Sequence, residues 1–162
     1  CQSEARAQEA LRLLGREVER RGLQLHPEKT RVVDATAPGG FDFLGYHFEQ
    51  GRRWPREKSL RSLKNKIRAK TRRTSGQSLS VIIEELNRTL IGWFGYFKHG
   101  HRHTFERLDG WLRMRLRSVL RRRKGGRGRG RGADHQQWPN AFFQQRGLYS
   151  LAVAHAAIRQ PR

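Results

Sequence analysis

The sequence holds a single cysteine, Cys1, in 162 residues. That excludes an intrachain disulfide framework and any zinc site drawing more than one thiolate from this chain. Acidic residues are scarce as well: 14 Asp/Glu stand against 35 Lys/Arg, a formal net charge of +21. A compact chain so charged repels itself, so a polyanionic partner is expected, nucleic acid before an anionic membrane surface. No apolar run nears the roughly 20 residues that span a bilayer. No secretory signal opens the chain. Hydrophobic residues make up 35% and the mean hydropathy is -0.88, enough for the modest core of one domain or two small ones. The chain starts on Cys1 and enters a helical pattern at once, which reads as a piece of something longer.

The positive charge is concentrated. Residues 1–50 hold seven Lys/Arg and eight Asp/Glu, whereas residues 51–132 hold twenty-five and five. The break near Gly51 marks a boundary between segments 1–50 and 51–123, followed by an Arg/Gly-rich linker at 124–133 and a tail at 134–162.

Ser3 can cap a helix running to Gly22, with Ala7, Leu11, Leu14 and Val18 as its apolar stripe. Leu23 and Leu25 alternate as a short strand. Arg31–Asp34 and Phe41–Glu49 read as two further strands joined through Pro38, Gly39 and Gly40. Beyond Gly51 the pattern turns helical: 56–73 on Leu60, Leu63 and Ile67; 79–98 on Leu79, Ile82, Ile83, Leu86 and Leu90; and 104–123 on Phe105, Leu108, Leu112, Leu116, Val119 and Leu120. The expected fold class is therefore α+β, an α+β first part followed by a three-helix part. Gly92 and Gly95 inside the second of these helices cost about 1 kcal/mol each relative to Ala, which suggests a close backbone approach or a break. The glycine-rich run at 124–132 is not expected to hold a fold by itself.

Several features point to chemistry. Arg113, Arg117 and Arg121 recur at four-residue steps, which makes a continuous basic ridge on the third helix. Helices with one apolar and one cationic face suit phosphate tracking. The residues expected to meet RNA are Lys64, Arg68, Arg72, Arg73, Arg88, Arg113, Arg117, Arg121, Arg122, Arg123, Arg127, Arg129 and Arg131. Trp93, Tyr96 and Trp111 either stack on bases or fill the core. His99, His101 and His103 alternate, but with no cysteine partner and no acidic cluster nearby they read as RNA contacts or exposed residues rather than metal ligands.

Two stretches carry a family resemblance. Leu23-Gln24-Leu25-His26-Pro27-Glu28-Lys29-Thr30, followed by Phe41-Asp42-Phe43-Leu44-Gly45-Tyr46, resembles the end of the palm domain of reverse transcriptases. The resemblance implies a helper role for Lys29 at the leaving pyrophosphate, within an intact palm only. It implies a primer grip at Phe43, Leu44, Gly45 and Tyr46, with Gly45 admitting nucleic-acid backbone closely. Asn87-Arg88-Thr89-Leu90-Ile91-Gly92-Trp93-Phe94-Gly95-Tyr96-Phe97, then Leu108-Asp109-Gly110-Trp111, resembles the maturase-specific thumb, or domain X, of group II intron reverse transcriptases. Together the two resemblances cover about residues 3–123.

They imply a C-terminal palm piece, a three-helix thumb, and binding to group II intron RNA and to an RNA/DNA template–primer. They also imply a bacterial cytoplasmic location at RNA or nucleoid, and no membrane partner. The family's Tyr-x-Asp-Asp does not occur in the 162 residues. Mg²⁺ is thus expected for an intact polymerase and for the intron RNA, and no cofactor for this chain. The cysteine pairs of a C-terminal HNH nuclease are missing too. Two alternatives stay open: a polymerase completed by an upstream palm portion, and a stand-alone basic RNA-binding protein.

Overall fold

The computed structural model describes residues 3–34 and 36–159; Cys1, the sole thiol, lies outside them. The fold is α+β, with seven helices and three short strands among the described residues. By internal packing the chain divides into two units, one running to Phe41 and including Phe48–Gly51, the other comprising Asp42–His47 and everything from Arg52 onward.

In the first unit, helix α1 spans Glu4–Arg20. Ser3 Oγ accepts the amide of Arg6 at 3.4 Å, and Glu4 lies in the positive first turn. No residue of α1 is buried, and Leu13 and Leu14 are exposed. The described residues of 23–40 contain no strand. The strands expected at Leu23–Leu25 and Arg31–Asp34 are therefore absent, because a strand needs a hydrogen-bonded neighbour and neither segment has one.

The strands are β1 (Phe41–Phe43), β2 (Tyr46–Glu49) and β3 (Arg52–Pro55), in the order β1-β2-β3. What reads as one strand from Phe41 to Glu49 is two, folded back at Leu44-Gly45, whose φ values of 46° and 79° are both positive. Gln50-Gly51 repeats the device, with φ of 46° and 71°. Two positive φ values in a two-residue loop make the turn whose twist suits an antiparallel hairpin. Gly51, where the charge changes, is the glycine of that second turn. The strand β3 went unrecognised because Arg-Arg-Trp-Pro lacks alternation and ends in proline, which is tolerated at a strand terminus.

The second unit is built on α2 (Glu57–Lys70), α3 (Leu79–Phe97) and α4 (Arg102–Arg123), close to the spans expected from apolar periodicity. Ser78 caps α3, its hydroxyl accepting the amide of Val81. Leu63 and Ile67 of α2, Ile82, Leu86, Leu90 and Phe94 of α3, and Phe105, Leu108, Leu112, Leu116 and Val119 of α4 form one core. Trp138, Phe143 and Leu151 complete it. They come from the tail, which folds as α5 (Gly132–Gln137), α6 (Asn140–Gln144) and α7 (Leu151–Arg159), the last packed along α4.

Two polar residues, Asp109 buried and Asn87 half-buried, hold that tail. Asp109, only 3% exposed, accepts the Ser150 hydroxyl at 2.7 Å and the amides of Leu151 and Ala152 at 3.1 Å. It satisfies the orphan donors at the start of α7. Asn87 Nδ2 donates to Gly147 O at 2.7 Å, and its Oδ1 accepts the Tyr149 amide at 2.8 Å.

Candidate nucleic-acid interface

The ridge expected on α4 is not a solvated one. Arg117 is 2% exposed. Its Nε donates to Trp138 O and its Nη2 to Asn140 Oδ1, both at 2.9 Å, and its guanidinium lies 5.3 Å from the centre of the Phe143 ring. Burial lowers its pKa, with Arg113 the next cause, yet guanidinium stays charged. Arg121 Nη1 pairs with Asp134 Oδ2 at 3.0 Å. The Asp134 carboxyl also accepts the Arg131 amide at 2.6 Å, the chief reason its pKa falls below 3.8. Arg113 is half-buried. Four-residue spacing does place these arginines on one face of α4, but the tail residues Trp138, Asn140 and Asp134 take up Arg117 and Arg121 there.

The Arg/Gly run is better anchored than its composition suggests. No helix or strand occurs over 124–131. Even so, Gly126 N donates to Arg121 O, Gly130 N donates to Ser118 Oγ, and Arg127 O accepts from Arg121 Nε at 3.0 Å. Arg122, Arg123, Arg127, Arg129 and Arg131 are exposed, and Arg123 donates to Gln77 O.

Cations gather instead around α2. Leu63 and Ile67 are buried, Leu60 packs against the core, and most other residues of the helix are polar or basic. Lys58, Ser62 and Lys66 follow at four-residue steps down one flank, and Glu57, Leu60 and Lys64 descend the other. The last turn is clamped to α4: Arg115 Nε donates to Thr71 Oγ1 at 3.0 Å and its Nη2 to Thr71 O at 2.9 Å. Burial, then the nearby Arg73 and Arg68, lower the Arg115 pKa, so three guanidinium groups share this end of α2. Arg72 and Arg73 are exposed just beyond it.

A groove runs along each flank. Between α2 and α4 it measures about 750 Å³ and is lined by Trp54, Lys64, His101, His103, Arg107 and Trp111 among others. Arg68 stands 5.6 Å over the Trp111 ring. His101 has a lowered pKa, first from burial, then from His103, Arg52, Arg102 and Arg159, a sign of the positive field here. Between α2 and α3 a groove of about 600 Å³ is lined by Arg56, Lys58, Ser62, Lys66, Arg88, Gly92 and Trp93 among others. Arg88 is exposed and paired with Glu84 at 2.5 Å. Arg56, Lys58, Lys66, Arg107 and Trp54 were not singled out from sequence. The signal available was the spacing of Lys58, Ser62 and Lys66 across the helix from Leu63 and Ile67.

The hairpin residues meet the helices. Tyr46 is buried, its hydroxyl donating to Tyr96 O, while Tyr96 OH donates to Leu44 O, both at 2.7 Å. Gly45 O accepts the Arg56 amide at 2.9 Å and the Ser59 hydroxyl at 3.1 Å. A Cβ on Gly45 would stand 3.4 Å from Phe97 Cζ. Its positive φ and the Phe97 ring therefore account for this glycine, where the sequence suggested room for a nucleic-acid backbone. Phe43 and Leu44 are 58% and 66% exposed at the hairpin tip. Trp93 is half-buried against Phe97 and Phe105, whereas Tyr96 is exposed but hydrogen-bonded through its hydroxyl. Lys29, in the other unit, is exposed in a turn, its amide donating to His26 O.

Among the described residues, no helix is long and apolar enough to cross a membrane. No curated protein matches the chain. Residues 60–138 match the family model of the group II intron, maturase-specific domain, a span running from α2 through α5 to Trp138. Residues 60–138 are thus similar to the maturase-specific domain of group II intron proteins, which supports a maturase C-terminal part.

Proposed function

We propose that this chain binds group II intron RNA through the cationic faces of α2 and the grooves beside it, and steadies the folded intron for splicing. The observation that carries the reading is the convergence of Lys58, Lys64, Lys66, Arg68 and Arg107 around one helix of a maturase-specific domain. Phosphate contacts supply affinity. Trp54 and Trp111 in the α2–α4 groove offer faces on which unpaired bases stack. The splicing chemistry belongs to the RNA and its Mg²⁺. In an intact reverse transcriptase the same face grips the template–primer, the exposed Phe43 and Leu44 contact the primer, and Lys29 assists pyrophosphate departure. Polymerisation needs metal-binding carboxylates of a Tyr-x-Asp-Asp motif absent from these 162 residues, so the chain alone binds without extending a primer. A place at RNA or nucleoid in a bacterial cytoplasm follows from the same reading.

The test is a titration of the purified chain against a group II intron RNA and a tRNA mixture at several salt concentrations. Tighter binding to the intron RNA is expected, with each phosphate contact adding roughly 0.7–0.9 to the log–log salt slope. Equal affinity for both RNAs, or a flat salt dependence, would overturn the proposal.

A further inference from the structure

We infer that the α2–α3 groove is a built site for one backbone phosphodiester of the bound RNA, with the Nε–H of Arg56 and the Nε1–H of Trp93 as its donors. The inference rests on the RNA-binding reading above and names the atoms that make the contact. Both N–H groups are buried and have no acceptor among the described residues. Buried donors in folded proteins are almost always paired. Both belong to residues that line the same groove, and two orphans so close together call for an acceptor from outside the chain.

The charge around them says which kind. No carboxylate is among the described residues that line the groove. Lys58 and Lys66 flank it, and neither has an acidic partner among the described residues. A neutral acceptor would satisfy the two donors but leave this charge uncompensated. A phosphodiester brings two non-bridging oxygens for the donors and a negative charge for the lysines.

Gly92 is a third, independent observation. It sits inside α3 and lines the groove. A Cβ built there meets nothing within 4 Å, so no packing inside the protein requires a glycine. Alanine would favour the helix. A bare backbone at this point lets a sugar–phosphate chain come close.

Four variants of the full chain test the site by filter binding to group II intron RNA at several salt concentrations, beside thermal unfolding. Trp93→Phe keeps the ring that packs on Phe97 and Phe105 but removes the donor; it is expected to weaken RNA binding about tenfold. Arg56→Gln is expected to lower the salt slope by about 0.7–0.9. Gly92→Ala is expected to raise the unfolding midpoint while weakening RNA binding. Gly95→Ala, in the same helix but outside the groove lining, is expected to raise the midpoint alone. Wild-type affinity in Trp93→Phe and Gly92→Ala, with an unchanged slope in Arg56→Gln, would overturn the site and leave RNA binding standing. A wild-type chain that binds no RNA would overturn both.

Discussion

Arg117 and Lys66 carry the same charge and do opposite jobs. The guanidinium of Arg117 is spent on Trp138 O and Asn140 Oδ1. Arg117→Ala should therefore lower unfolding free energy by about 2–4 kcal/mol, since it strips a charged donor from two acceptors and opens the core under α6. Urea denaturation measures this; a loss under about 0.5 kcal/mol, typical of a surface position, would refute it. The distinction was illegible in sequence because arginine's fork suits a phosphate and a pair of protein oxygens equally well. Four-residue spacing reveals a shared face, and nothing in the spacing says what covers that face. Asn87 and Asp109 repeat the lesson: both fall within the stretches that resemble a maturase, and both hold the tail.

At the scale of elements, the helices were the legible part. The apolar residues of α2, α3 and α4 recur at three- and four-residue steps, and most of them lie in the core. The strands were misplaced because pairing is non-local: Arg31–Asp34 has strand-like composition and no neighbour, while Arg52–Pro55 has little strand character and pairs beside β2. The tail's folding depends on Asp109 and Arg117, far away in sequence. Helix α7 also carries a pH dependence. His155 is buried against Phe105, with ring centres 4.7 Å apart. Burial lowers its pKa below 6.5; Arg159 and His101 act in the same direction, and Glu106 and the Gly100 backbone oppose. The fold thus favours neutral imidazole. This stability is complete above the unfolded pKa and is lost as pH falls through the lower folded value. The urea midpoint should drop between about pH 7.5 and pH 5.5, and His155→Phe should shrink that drop. An equal drop in the variant would show that other groups are responsible.

Across the whole molecule, a net charge of +21 shapes both solubility and partner choice. Seen from composition alone, any of the basic stretches could face RNA. Folding sorts them: Arg117 and Arg121 of α4 are drawn under the tail, and the lysines of α2 are left beside open grooves. The central claim is that α2 presents the charge that RNA meets. The most direct test is the salt dependence of group II intron RNA binding in the Lys58→Glu, Lys66→Glu double variant, alongside its unfolding midpoint. The slope should fall by roughly 1.4–1.8, two phosphate contacts at roughly 0.7–0.9 each, with the midpoint essentially unmoved. Wild-type affinity and slope in that variant would contradict the account.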